Sequence, residues 1–89
     1  MICLEVQING ATVCTAGGVD LTATSANVYS FKLDDGTMQL TLSVRGQTAG
    51  GENAESLIWL RQDLSLGDRV SIHIVEKPSC DPPIRRSRE

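Results

Sequence analysis

Three cysteines and one histidine are the residues of this chain best suited to nucleophilic chemistry. Cys3, Cys14 and Cys80 are odd in number and lack the spacing of a metal site. A nucleophile needs a base beside it, and the only histidine, His73, has Ser71 two residues away but no implied orienting acid. The sequence therefore predicts no catalytic residue, metal ligand or cofactor, and we do not expect an enzyme.

The expected state of the cysteines follows from a hairpin turn at Asn9 and Gly10. In the resulting register Cys3 and Cys14 share a polar face but lie diagonally, about 7–8 Å apart between Cα atoms, beyond the usual disulfide span. We therefore expect free thiols, the state typical of a reducing cytoplasm. No apolar run reaches the roughly 18 residues of a membrane span, and the N-terminus enters a strand pattern without the features of a signal peptide. No membrane segment is expected, and the expected location is the cytoplasm of a bacterium, or of a host cell if a phage encodes the protein.

Two segments resemble binding loops superficially. Residues 46–53 contain three glycines, but no Lys-Ser or Lys-Thr follows them and Glu52 would repel a phosphate. Asp34-Asp35-Gly36 is typical of a tight turn and lacks the further acids of a calcium loop. We therefore predict a hairpin turn at Asp35-Gly36 and a mobile surface loop at 46–53.

Alternation between apolar and polar residues defines the predicted strands. It is clearest at 69–76, where Val70, Ile72 and Ile74 alternate with polar side chains, as in a half-buried strand. Asn-Gly and Asp-Gly readily adopt the positive φ of two-residue turns, so hairpins are expected at 2–15 and 27–45. The expected apolar partners are Val6 with Val13, and Tyr29, Phe31 and Leu33 with Leu42, Leu40 and Met38.

Residues 54–64 contain the only tryptophan and fit two structures. Leucines at helical spacing follow Asn53, which could cap a short helix, whereas the run of four apolar residues suits a strand. We favour the strand because the other elements have period two. A strand turns Trp59 to one face and its neighbours Ile58 and Leu60 to the other. Either both faces are covered, or an apolar patch is exposed to a partner or second subunit.

These patterns predict an all-β fold. A chain of 89 residues can form one core, and we expect a single domain over residues 1–77. It should contain about six antiparallel strands in a small sandwich or partly open barrel built from hairpins. The prolines of 78–89 disfavour pairing inside a sheet, so this segment is predicted to be an extended C-terminal tail.

Charge is distributed unevenly along the chain. Residues 1–76 carry nine acids and four bases, a net charge of −5, whereas residues 77–89 have a net charge of +2. A protein that neutralises phosphates should be basic on its folded part. Nucleic acid is therefore not an expected partner.

The C-terminal third resembles small uncharacterised bacterial and phage all-β proteins. The resemblance rests on Trp59, on the spacing Leu64-x-x-Gly67-Asp68-x-Val70-x-Ile72, and on Asp-Pro-Pro before a basic end. It implies a bacterial or phage source and no particular activity.

With no catalytic group in view, the sequence favours a non-catalytic protein-binding module. Examples are a phage or mobile-element accessory protein that inhibits a host complex, or a small immunity or adaptor protein. The alternative is a small-ligand-binding β-barrel with Asn27 or Tyr29 in its mouth, and an enzyme comes third.

The predicted surface for a protein partner or self-association combines the loop 46–53, the apolar face around Trp59 and the basic tail. The predicted partner-binding residues are Arg45, Gln47, Thr48, Glu52, Trp59, Arg61, Arg85, Arg86 and Arg88.

Overall fold

The fold consists of two antiparallel sheets packed face to face. The computed structural model describes residues 1–88. They contain strands β1 (Ile2–Ile8), β2 (Ala11–Ala16), β3 (Leu21–Lys32), β4 (Met38–Thr48), β5 (Glu55–Asp63), β6 (Val70–Glu76) and β7 (Arg85–Arg88), with a 3₁₀ turn at Gly51–Asn53. Sheet A has the order β2-β1-β6 and sheet B the order β3-β4-β5-β7. The all-β prediction is confirmed, and 54–64 contains the predicted strand.

The core between the sheets is aliphatic apart from one cysteine and one tryptophan. Its buried residues are Val6, Ile8, Cys14 and Ala16 from sheet A and Leu42, Val44, Leu57 and Trp59 from sheet B. The contacts between the sheets come mainly from β1 and β2, not from β6. As a result, Ile72 and Ile74 of β6 are 44% and 77% exposed. The alternation at 69–76 predicted this strand, but most of its apolar face lies uncovered at the edge of sheet A.

The first hairpin forms at the predicted turn and then changes register. Asn9 has a φ of 52° and Gly10 a φ of 84°, as a two-residue turn requires. A β-bulge then shifts the ladder, so Val6 pairs with Cys14 instead of Val13. The bulge turns the Cys14 side chain into the core.

The second hairpin contains the predicted strands, but the predicted register between them is wrong by one residue. Gly36 has the expected positive φ, 88°, but the amide of Leu33 donates to the carbonyl of Thr37 at 2.8 Å and closes a longer loop. Tyr29 therefore pairs with Thr41 instead of Leu42, and Phe31 pairs with Gln39. Because side chains alternate along a strand, this slip of one residue moves both aromatic rings from the core to the outer face.

The segment predicted as a mobile loop at 46–53 is partly strand. β4 continues through Thr48, and the turn that follows is short. The hydroxyl of Thr48 accepts a hydrogen bond from the amide of Glu55 at 2.8 Å, which joins β4 to β5 across the turn. Although the segment is rich in glycine, its first residues pair with both β3 and β5.

The C-terminal segment, predicted as an extended tail beyond the domain, is bound to both sheets. The amide of Asp81 donates to the carbonyl of Thr15 at 2.9 Å, and its carboxylate accepts from the amide of Thr15 at 2.8 Å. Arg85–Arg88 then pairs with β5 as an edge strand. The prolines all precede this strand, where no ladder hydrogen bond is needed.

The prediction of free cysteines is also wrong for two of the three. Cys3 forms a disulfide with Cys80, with 6.4 Å between their Cα atoms, and Cys14 is free and buried. The predicted register had placed Cys3 and Cys14 on one face, whereas the bulge separates them. It also left Cys80 in a free tail, although the contacts of Asp81 hold that segment against sheet A.

We expect Ellman's reagent to detect one thiol in the unfolded protein before reduction and three after it. The Cys80→Ser variant should lose roughly 4 kcal/mol of unfolding free energy, because the disulfide restricts a long loop in the unfolded chain. Urea denaturation measures this loss. Reduced wild-type protein is the matched control and should unfold at the same urea concentration as the variant. Three reactive thiols before reduction would contradict the disulfide.

Candidate binding face

The strand register of sheet B collects the distinctive polar and aromatic side chains on its solvent-facing side, here called the outer face. Alternation from the paired residues assigns to it Ala23, Ser25, Asn27, Tyr29, Phe31, Gln39, Thr41, Ser43, Arg45, Gln47, Ser56, Ile58, Arg61, Asp63, Arg85 and Ser87. The predicted site residues Arg45, Gln47, Arg61 and Arg85 thus share one face.

A bulge in β5 is what places Arg61 on this face. Ser43 pairs with Arg61 and Val44 with Leu60, but Arg45 pairs with Ile58, so Trp59 is the extra residue. In a regular strand Ile58 and Arg61 would point to opposite sides, because they are three residues apart. The bulge sends Trp59 and Leu60 inward together and leaves Ile58 and Arg61 outward.

Trp59 is a core residue, so its predicted role as an exposed partner-binding residue is wrong. Its side chain is 3% exposed, and its indole N–H donates to the carbonyl of Asp81 at 2.7 Å. The ring lies against Gly46, where a Cβ atom would come within 2.7 Å of Trp59 Cζ3. The β5 bulge brings two consecutive apolar residues, Trp59 and Leu60, to the core side, so the apolar surplus of this strand is not exposed through Trp59.

Tyr29 and Phe31 form the aromatic edge of the outer face. Their ring centroids are 5.7 Å apart and their planes 20° from parallel, while their side chains are 37% and 54% exposed. Beside them Thr41 and Ser43 are almost fully buried, because large neighbours surround these small side chains. The result is a shallow depression of about 190 Å³ with a polar floor, an aromatic side and a side formed by Arg45 and Arg61.

The guanidinium groups of the outer-face arginines are not neutralised by ion pairs within residues 1–88. The Nε of Arg45 donates to the Ser43 hydroxyl at 2.9 Å, which leaves its terminal nitrogens free to face solvent. Within residues 1–88, Arg45, Arg61 and Arg85 form no ion pair. Asp63 is the one acid that the described register assigns to this face. Basic side chains therefore predominate here although the chain as a whole is acidic.

The remaining predicted site residues are not part of this surface. Arg86 points to the other side of sheet B and pairs with Glu55 at 3.3 Å and with Asp20 at 3.8 Å. Thr48 is buried, and Glu52 lies in the exposed turn beyond β4. Arg88 pairs with Glu55 through its backbone, but its side chain is outside the part of the chain that the structure describes.

The surface positions of Tyr29 and Phe31 were not predicted. Their apolar character, shared with Leu33, predicts that this side of β3 faces the core. The exposed Val28, which pairs with Leu42, shows that β3 is apolar on both sides. A signal was present in the second hairpin, where Thr41 and Ser43 alternate with Leu40, Leu42 and Val44.

The residues considered for catalysis are not assembled into a site. His73 is exposed and pairs with Glu5 across sheet A. Burial, and secondarily the charge of Asp81, raises the pKa of Cys14 to about 11, so the thiol is protonated at neutral pH. No group of three or more His, Cys, Asp or Glu residues within 1–88 has a metal-binding arrangement.

Comparison with protein-family models, curated proteins and solved structures gave no match to this chain. The resemblance to small bacterial and phage proteins therefore stays a prediction. Among the described residues, no helix has the length and apolar character needed to cross a membrane.

We expect Gly46→Ala to destabilise the fold by about 2 kcal/mol, because the added methyl group overlaps the Trp59 ring. In a Trp59→Phe background the same substitution should cost less, since phenylalanine lacks the second ring of the indole. Thermal or urea unfolding of the four proteins in this double-mutant cycle gives the coupling. Equal costs of Gly46→Ala in both backgrounds would show that the Trp59 contact does not limit position 46.

Proposed function

We propose that this chain is a non-catalytic protein-binding module and that the outer face of sheet B binds the partner. The observation that supports this most is the exposed, stacked pair Tyr29 and Phe31 beside Arg45 and Arg61. Tyrosine and arginine are, with tryptophan, the residue types enriched among the energetically dominant residues of protein interfaces. A sheet supplies them from rigid strands, so little conformational entropy is lost when a partner binds.

The shape of the face favours a protein over a small molecule. Its two depressions, of about 230 and 190 Å³, are smaller than the 300–1,000 Å³ typical of small-molecule pockets, and both are open to solvent. The barrel mouth expected for the small-ligand alternative is absent from the described fold, because its two sheets do not close into a barrel.

The disulfide changes the basis of the predicted location. Free thiols would agree with a cytoplasmic protein, but two of the three cysteines are joined. Structural disulfides persist mainly in oxidising compartments. The cytoplasmic location thus stays a prediction without that support.

Site-specific photocrosslinking in cells of the encoding organism tests the proposed face. A photoreactive amino acid at the exposed Gln39 position should give a discrete protein adduct, because Gln39 lies beside Phe31 on the outer face. The same group at Thr12, an exposed residue of sheet A, is the matched control and should give no adduct.

The double variant Tyr29→Ala, Phe31→Ala should abolish the adduct at position 39. Because both rings are on the surface, the variant should keep its circular dichroism spectrum. An adduct that persists in this folded variant, or that forms equally from position 12, would show that the outer face is not the binding surface.

A further inference from the structure

The spacing of Arg45 and Arg61 on the outer face matches the spacing of alternate side chains in an extended segment. Arg61 is opposite Ser43, and Arg45 is two residues farther along β4. They are therefore diagonal neighbours, about 7–8 Å apart by the usual geometry of paired strands. Alternate residues of an extended chain are separated by about 6.6–6.8 Å. Two side chains at positions i and i+2 of an extended segment can thus reach both arginines at once.

Both guanidinium groups are suited to carboxylates. A guanidinium group binds a carboxylate through two parallel hydrogen bonds, and this geometry is stronger than a neutral contact. Arg45 is already oriented by its hydrogen bond to the Ser43 hydroxyl. Part of the conformational entropy of this flexible side chain is therefore lost before a partner binds. Arg85 lies on β7, two strands from Arg45 on β4, and is paired with Ile58 of β5. Its guanidinium group can bind a third acidic group.

The surrounding charge distinguishes a short acidic segment from a nucleic acid. Residues 1–76 have a net charge of −5, so a polyanion that extends past the three arginines meets repulsion from the rest of the domain. A nucleic acid carries a phosphate at every nucleotide. A peptide can place two or three carboxylates opposite the arginines and remain neutral elsewhere.

We infer that the outer face binds an extended protein segment with acidic residues at positions i and i+2, whose carboxylates pair with Arg45 and Arg61. This inference rests on the proposed function, because it assigns the chemistry of the partner to the face already described. Tyr29 and Phe31 lie across Thr41 and Ser43 from the arginines and contact the apolar part of the same segment.

Synthetic peptides test this recognition directly. The probe is a peptide with Glu at two positions, i and i+2, and Thr at the others. The controls are the same peptide with Gln for Glu, and a single-stranded oligothymidine of equal length. In a titration followed by ¹⁵N NMR, the acidic peptide should shift the amides of Ser43, Arg45, Ile58 and Arg61, and binding should weaken as salt is raised. Equal binding of the Gln peptide, tighter binding of the oligonucleotide, or no shifts from the acidic peptide would overturn the inference.

Charge-removing variants identify the arginines that act. Arg45→Gln and Arg61→Gln should each weaken binding of the acidic peptide about fivefold, in line with an ion pair at a partly exposed site. Arg69→Gln removes an exposed arginine of the β5–β6 connection and should leave the affinity unchanged. Affinity that is unaltered by the first two variants, or lowered equally by the third, would overturn the assignment.

The two proposals can fail separately. If the crosslink at position 39 forms in cells and depends on Tyr29 and Phe31 but not on the arginines, the binding face stands and the acidic partner is wrong. If the acidic peptide binds through Arg45 and Arg61 but no crosslink forms in cells, the recognition chemistry stands and the cellular role is wrong.

Discussion

The packing of Trp59 against Gly46 is the contact on which the arrangement of sheet B depends. The ring occupies the space where a side chain at position 46 would lie, and its N–H is satisfied by Asp81. An indole N–H buried without an acceptor would cost free energy, so the C-terminal segment is required for this position of the ring. To point inward opposite Arg45, Trp59 has to be the extra residue of a bulge. The same bulge turns Arg61 outward beside Arg45.

The C-terminal segment closes one side of the sandwich and leaves the other side open. The hydrogen bonds of Asp81 join Thr15 of β2 to Trp59 of β5, and the disulfide joins the same segment to Cys3 of β1. On the opposite side, β6 and β3 are the last strands of their sheets, and Ile74 and Val28 are more than half exposed. The domain is thus held most firmly where the core, the disulfide and β5 meet, which is also the part that supports the arginines of the outer face.

The strands could be predicted from the sequence because each depends on local alternation and turn chemistry. The Asn-Gly turn and the strand at 69–76 are examples, since neighbouring residues determine both. The registers could not be predicted, because one extra residue in a strand or turn shifts every cross-strand pair beyond it. Val13 is bulged out opposite β1, and a longer loop at Asp35 and Gly36 shifts Tyr29 by one position. One such shift exchanges core and surface.

The candidate face could be predicted only in part, because it also depends on strand register. Arg45, Gln47, Arg61 and Arg85 were recognised by their charge or polarity, but their shared face depends on the β5 bulge and on pairing of β7. The disulfide required knowledge that residues 78–84 return to sheet A, which is set by contacts of Asp81 with residues far away in sequence. Composition and periodicity do not predict contacts between residues so far apart in sequence.

Cross-strand nuclear Overhauser effects between backbone protons of β4 and β5 test the central claim most directly, namely that a bulge at Trp59 brings Arg45 and Arg61 to one face. The account predicts contacts of Ser43 with Arg61 and of Arg45 with Ile58. In a regular ladder Arg45 would instead be opposite Trp59, with the tryptophan on the outer face. Contacts between Arg45 and Trp59 in place of those with Ile58 would contradict the account.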